Sequence, residues 1–290
     1  MLRIVGTIFA ALLGLAFGSF LNVCLSRWPE GESVARPRSH CRSCGRTLAW
    51  WENIPVLSWM ALRGRCRKCG VWISVRYPLV EIAVAALWAL LVWYSNDDVF
   101  ALDVPAHLRA LNIAATLCGL VFFWLLIALA ALDAEHLWLP DFLTFPGIGL
   151  GIGMKVVFEQ FGFHESGSPQ PLHALLIAVA SAAIAAAFIL LIRWLYGLVR
   201  RREGLGLGDA KLMALLAAWL GLPLAMVALF LGVALGALAA VAILAGRSQR
   251  TGASWAATPL PFGTFLCVGG IITALWGQQI LAAYLRWSGF

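Results

Sequence analysis

Residues 121–141 read VFFWLLIALAALDAEHLWLPD, an apolar run that stops at Asp133 and gives way to Glu135, His136 and the pair Pro140-Asp141. The apolar character reaches back to residue 110, and about 20 mostly apolar residues are what a helix needs to cross a bilayer. Asp133 therefore stands at the C-terminal end of a spanning helix, where the helix dipole opposes a negative charge. Capping gives it no explanation there. Asp141, just after Pro140 and ahead of another apolar run, fits a helix cap better. Glu135 and His136 lie further from the run and are expected to be solvated. An ionisable side chain beside a spanning segment is a functional-site hypothesis by default.

The rest of the chain extends this pattern. Of its 290 residues, 62% are hydrophobic and 12% charged, and the mean hydropathy is +0.87, which excludes an ordinary soluble domain. Apolar runs near 4–24, 78–95, 110–132, 142–158, 172–199, 210–222, 223–245 and 259–285 predict an all-α polytopic membrane protein with about eight transmembrane helices. The sixth is broken by Gly221 and Pro223 and is shorter than a full crossing, so it is expected to be tilted or surrounded by protein. The first run lacks an Ala-x-Ala-like cleavage site and reads as a retained helix rather than a signal peptide. No repeat or low-complexity tract is evident. The domain layout is thus 1–24, a first transmembrane helix; 25–77, a polar insertion; and 78–290, a helical membrane domain.

Charge sets the expected orientation. Between 25 and 77, ten Lys or Arg face three Glu, and the positive-inside rule places that segment in the cytoplasm. Arg200, Arg201 and Arg202 before Asp209, and Arg247 and Arg250 after the seventh run, belong to the same side; Asp97, Asp98 and Asp103 mark the other. The net charge of +7 therefore reports topology and contact with anionic membrane lipid, and nucleic acid is not an expected partner.

Within the insertion, Cys41-Arg-Ser-Cys44 and Cys66-Arg-Lys-Cys69 form two CxxC pairs with twenty-one residues between them. That spacing suits two knuckles completing a tetrahedral thiolate shell for Zn2+, with Arg42, Arg67 and Lys68 expected to favour thiolates. Disulfides or a redox pair are the alternatives, and a cytoplasmic location argues against structural disulfides. Four protein ligands leave no open position, so the metal would be structural. Cys24, Cys118 and Cys267 read as small buried apolar residues.

A second acid, Asp209, sits in GLGLGDAKL, residues 204–212. Its plainest reading is a helix N-cap; the alternative is a partner for Asp133. Two facing carboxylates cannot both ionise freely, so they would share a proton, and one could activate a water while the other polarises a carbonyl. On dipole grounds Asp209 would be the ionised base and Asp133 its neutral partner. Gly206 and Gly208 would let a substrate backbone approach closely and would permit positive φ.

These residues resemble the type IV prepilin peptidases, members of the GxGD aspartic membrane proteases. The motifs are GSFLNVCLSR (18–27), the CxxC pairs, WWENIPVLSWMALRGRCRKCG (50–70), ISVRYPLVE (73–81), LDAEHLWLPD (132–141) and GLGLGDAKL. The resemblance implies a bifunctional enzyme of the bacterial inner membrane. It would cleave the leader of type IV prepilins or type II secretion pseudopilins on the cytoplasmic face. It would then methylate the new N-terminal residue, usually Phe, from S-adenosylmethionine. By motif position it assigns catalysis to Asp133 and Asp209 and zinc to Cys41, Cys44, Cys66 and Cys69. No Gly-rich dinucleotide turn is visible, so the methyl-donor site falls to the insertion by elimination, with Glu52, Asn53, Gly64 and Glu81 as candidate contacts. Competing readings are a GxGD protease without methylation and an ion- or proton-coupled transporter.

Overall fold

The computed structural model describes residues 1–95, 105–162, 169–200, 206–247 and 260–288. The expectations placed on Asp97, Asp98, Asp103, Arg201, Arg202 and Arg250 lie outside these residues. Among the described residues the regular elements are helices, with two isolated β-bridges and no strand, and the chain divides into two compact units, Met1–Ala128 and Leu129–Phe290.

In the first unit, α1 (Leu2–Arg27) and α3 (Arg76–Tyr94) pack antiparallel through bare backbone. A Cβ on Gly14 would lie 2.6 Å from the Ala85 Cα, and one on Gly18 would lie 2.7 Å from the Glu81 Cα. Small residues at this spacing are what bring membrane helices into contact. At the far end, the Arg3 guanidinium donates to the Trp93 carbonyl at 2.8 Å and complements the negative end of α3.

The insertion between these helices holds two short 3-10 turns (Trp28–Glu30 and Trp50–Asn53) and one short helix, α2 (Leu57–Ala61). Its arginines shape it. Buried Arg27 donates to the carbonyls of Ser33, Val34 and Pro37 at 2.9, 3.1 and 2.7 Å, so the loop after α1 wraps around one guanidinium. The first unit closes with the larger part of α4 (Ala106–His136), to which Trp88 donates through its indole nitrogen at the Leu120 carbonyl, 3.0 Å.

The second unit contains the end of α4, α5 (Asp141–Phe161), α6 (Pro171–Arg200), α7 (Leu207–Leu220), α8 (Leu222–Arg247) and α9 (Phe262–Ser288). Helix α7 is its core, with nine of its fourteen residues buried. At about 1.5 Å per residue it is too short to cross a hydrocarbon core of about 30 Å, and it ends at Gly221 with φ +85°. Trp219 pins it to α5 by donating to the Gly147 carbonyl at 2.9 Å.

Among the described residues, seven helices are long and apolar enough to cross a membrane: α1, α3, α4, α5, α6, α8 and α9. The chain is a multi-pass membrane protein. The remaining expected segment, 210–222, is α7, which lies inside the helical unit as its broken apolar run suggested.

Candidate functional site

Helix α4 continues three residues past Asp133, and the chain then turns at Leu137, whose φ of +51° is unusual for a residue with a side chain. The turn carries Leu139 back beneath the helix end and starts α5 at Asp141. Asp133 is 6% exposed. Its carboxylate accepts the Thr264 backbone N–H at 2.7 Å and lies 3.1 Å from the Thr264 hydroxyl, which also reaches the Ala130 carbonyl at 2.9 Å.

Thr264 belongs to the first turn of α9, so Asp133 at the end of one helix occupies the N-terminus of another. The expectation that it lacks a structural partner is corrected by α9, whose free N–H groups favour a carboxylate.

Asp209 is 7% exposed and sits in the first turn of α7, three positions past the cap residue Gly206. It reaches back to accept the Gly206 N–H at 3.0 Å. Each carboxylate therefore lies at a helix N-terminus, and the dipole argument no longer separates them. The two are close enough for the charge of one to act on the other, and both charges reach Cys267, which is fully buried in α9. Residues from α4, α7 and α9, widely separated in sequence, thus meet in one buried place.

Neither Gly206 nor Gly208 uses the positive φ that glycine permits. Gly206 has an ordinary φ of −76°, and Gly208 is not in the left-handed region either. A Cβ on Gly208 would lie 3.0 Å from Leu139, and one on Gly263 would lie 2.9 Å from the Asp133 carboxyl carbon and 3.1 Å from Leu139. Close packing around Leu139 is what these positions require. Asp141 is likewise not a side-chain cap. It is the first residue of α5, and its carboxylate pairs with Lys211 of α7. Sequence reasoning missed Leu139, Lys211, Gly263 and Thr264; the only sequence hint of the last two was the Pro-rich start of the final helix.

In the first unit, the four sulfurs of Cys41, Cys44, Cys66 and Cys69 lie within 4.8 Å of one another, and none is disulfide-bonded. A tetrahedral ion with sulfur at about 2.3 Å requires sulfurs about 3.8 Å apart, and Cys41 and Cys69 are separated by 3.8 Å. The donor set can hold a metal ion. Both knuckles have the same backbone pattern. Cys41 N–H donates to Arg46 and Gly45 N–H to Cys41, while Cys66 N–H donates to Val71 and Gly70 N–H to Cys66, all at 2.9 Å. Gly45 and Gly70 supply the positive φ, +68° and +70°. The doubled CxxCG motif of the sequence is thus repeated in the backbone. The Cys66 thiol is pulled down to about 6, chiefly by the backbone N–H groups of Cys69 and Lys68 rather than by the neighbouring basic side chains. Cys24 and Cys267 are buried as expected, and Cys118 is half-buried.

Glu52 is buried beside the knuckles. It pairs with Arg46 and accepts the Ala49 N–H at 2.7 Å, and these contacts, the Arg46 bond first, hold its carboxyl below the usual range. Next to it lies a cavity of about 600 Å3 bounded by α1, the start of α3 and the insertion, and Glu52, Asn53 and Glu81 all line it. Gly64 is not on its wall. A Cβ there would lie 2.9 Å from the ring of Trp59, which does line the cavity.

Fold and site together define a polytopic helical membrane protein with a four-thiol knuckle domain and a pair of buried carboxylates. It belongs to the type IV leader peptidase family, whose model matches residues 120–241, while the bacterial peptidase A24 N-terminal domain matches residues 12–95. The chain is similar to a protein of Pseudomonas putida named prepilin leader peptidase/N-methyltransferase, 36% identical over 97% of this chain and 94% of that protein. Proteins of the same name in Pseudomonas aeruginosa and Dichelobacter nodosus are 34% and 36% identical, over 96% and 95% of this chain and 93% of each of those proteins. No solved structure matches.

Proposed function

We propose that this enzyme removes the leader peptide of type IV prepilins or pseudopilins and then methylates the exposed N-terminal amine, with S-adenosylmethionine as methyl donor. The observation that carries the peptidase half is the meeting of Asp133 and Asp209, each over nine-tenths buried and within electrostatic reach of the other. Two such carboxylates share one proton. The ionised member takes a proton from a water as the water adds to the scissile carbonyl, and the protonated member gives its proton to the developing oxyanion. Collapse of the tetrahedral adduct breaks the C–N bond, and the released amine takes up a proton.

Methyl transfer then joins the neutral amine to the donor's methyl carbon. The methyl–sulfur bond breaks with its electrons left on sulfur, and the amine's surplus proton passes to solvent. On this reading the enzyme lies in the inner membrane with its aspartates facing the cytoplasm, the side assigned to the basic insertion. Residues 25–77 form a four-cysteine domain that holds structural Zn2+, following the first transmembrane helix (1–24), and 78–290 form the helical peptidase domain. The prepilin's apolar helix and basic leader would bring the scissile bond to the membrane boundary.

The test uses Asp133→Asn and Asp209→Asn separately in membranes. Each is expected to abolish prepilin cleavage while still methylating a pre-cleaved substrate from labelled S-adenosylmethionine. Normal cleavage by either single variant would overturn the shared pair. A wild-type enzyme that cleaves but never transfers label would be a peptidase without the second activity.

A further inference from the structure

The insertion is polar by composition, yet α2 presents its apolar residues to the outside. Leu57 and Met60 are 64% and 63% exposed, and Ala61 is exposed beside them. Positions i, i+3 and i+4 share one helix face, so these three form a single outward stripe. Ser58 and Trp59 turn the other way, into the cavity wall. A helix on a water-facing surface is arranged in the opposite sense. We infer that α2 is an interfacial anchor: its outward face beds in the acyl chains of an acidic phospholipid leaflet, with Arg63 and Arg65 on the headgroup phosphates. This goes beyond the two reactions proposed above and depends on neither.

The spanning helices of the same unit set the level of α2. Arg3, stacked on the Trp93 ring at 4.7 Å, and the exposed Trp93 and Tyr94 mark one membrane boundary, where such residues gather. A core of about 30 Å, at about 1.5 Å per residue, reaches back from Trp93 by roughly twenty residues and so takes in all of α3. Glu81 lies five residues inside that helix, about 7 Å below its start at Arg76. Its carboxylate accepts the Val56 N–H at 2.7 Å. Because helical side chains lean towards the helix N-terminus, Val56 lies between the levels of Arg76 and Glu81, inside the boundary. The other end of α2 is shallower. Trp59 donates through its indole nitrogen to the Ile73 carbonyl at 3.1 Å, and the Ile73 N–H donates to the Gly64 carbonyl at 2.7 Å. Ile73 is three residues ahead of α3, so α2 crosses the boundary obliquely and Arg63-Gly64-Arg65 leaves it at headgroup level.

Level, area and charge select lipid as the occupant. At this depth the face meets acyl chains wherever protein leaves it open, as the exposed α3 residues Leu79 and Ile82 do. Two large side chains fall far short of the roughly 800 Å2 per partner that a standard protein interface buries, whereas an interfacial helix needs only to sink about 5–10 Å into the leaflet. Arg63 and Arg65 are exposed, and among the described residues neither has an acidic partner. Cationic side chains at this level are drawn to acidic headgroups. The metal site is affected in turn: Cys66 follows Arg65 directly, so the anchor seats the second knuckle on the membrane surface.

The experiment uses full-length protein in vesicles of equal phosphatidylglycerol and phosphatidylcholine, with the photoreactive p-benzoylphenylalanine in place of Leu57, of Met60 or, as a lipid-facing reference, of Leu79. Prepilin is present, and metal content and elution volume report the fold. Irradiation is expected to attach phospholipid at both α2 positions, with yields within about threefold of that at Leu79. Phosphatidylglycerol should exceed phosphatidylcholine among these adducts by at least about fivefold, the preference that one basic residue at an anionic surface supplies. Arg63→Gln with Arg65→Gln should remove that preference and keep the adducts. Capture of prepilin or of a second copy of this chain in place of lipid would overturn the anchor. So would yields at both positions below about a tenth of the Leu79 yield, which would put the face in water. Equal capture of the two lipids with both arginines present would remove the headgroup contacts.

Discussion

The four-thiol site and the carboxylate pair are built on opposite plans. Each knuckle is local: within five residues a cysteine, its own backbone bonds and a left-handed glycine fix where two sulfurs lie. The carboxylate pair is assembled from α4, α7 and α9, and Thr264 meets Asp133 across 131 residues of chain. A local site depends on its ligand for stability, whereas an assembled site depends on the packing of the helices that carry it. The two should therefore fail differently.

Metal removal gives the largest expected effect. Between α1 and α3 there are only short helical turns and two β-bridges, so the binding free energy of an ion held by the four thiols would be folding free energy for this segment. Chelation, or Cys44→Ser with Cys66→Ser, should unfold it. Trypsin would then cut after Arg38 and Arg46 at a rate the metal-loaded protein does not show. An insertion that stays protease-resistant without metal would break the comparison at its first term.

Next is Gly263→Ala. The added Cβ would lie 2.9 Å from the Asp133 carboxyl carbon, so the carboxylate must move, and a displacement approaching 1 Å at a reacting group costs up to about 10²-fold in rate. The expected result is a fall in kcat of about 10- to 100-fold with little change in KM. Metal content should be unaffected. Unchanged turnover would show that Asp133 has room the structure does not give it.

This difference in plan also explains what was legible in the sequence. The clustering of four cysteines, the apolar helices and the position of Asp133 near the end of α4 follow from spacing and hydropathy, which are local quantities. Even α7, too short to cross, was marked by Gly221 and Pro223. What escaped was set by tertiary neighbours. Asp133 appeared to lie at an unfavourable helix end because nothing near it in sequence announces the α9 N-terminus. The positive φ expected of Gly206 and Gly208 is absent, and the packing of Gly208 against Leu139 could not be read from the sequence. Asp141 fitted a cap until Lys211 was found beside it.

Glu52→Gln tests the support behind the local site. Removing the charge that holds Arg46 against the knuckles should weaken metal retention by about tenfold, the lower end for residues that orient metal ligands. Because the Glu52 carboxyl is held below its ordinary value, the pair's contribution is fully present above that ordinary value and is lost as pH falls through the lowered one. Metal-release rates of wild type and variant should therefore differ at neutral pH and converge in acid. A gap that persists in acid would remove the ion pair as its cause.

Thr264→Val removes the hydroxyl near Asp133 but keeps the N–H bond at 2.7 Å. One hydrogen bond is worth about 0.5–1.5 kcal/mol net, so cleavage should fall about 2- to 10-fold, and Thr264→Ser should restore most of it. If Ser failed to rescue, the methyl group's packing rather than the hydroxyl would be what matters.

Smallest is Lys211→Met. Its ammonium pairs with Asp141 at the start of α5 and lies 5.7 Å from the Phe145 ring centroid. The Asp141 side chain is 59% exposed, however, and exposed ion pairs contribute about 0–1 kcal/mol. Methionine keeps the apolar contact with Phe145, so only the charge is tested, and cleavage should change less than about fivefold, the limit that energy sets. The short α7 is held chiefly by its nine buried residues and by Trp219, not by its one ion pair. A larger loss would mean that Asp209 is placed electrostatically. The assembled site would then depend on a single contact as strongly as the local one depends on its metal.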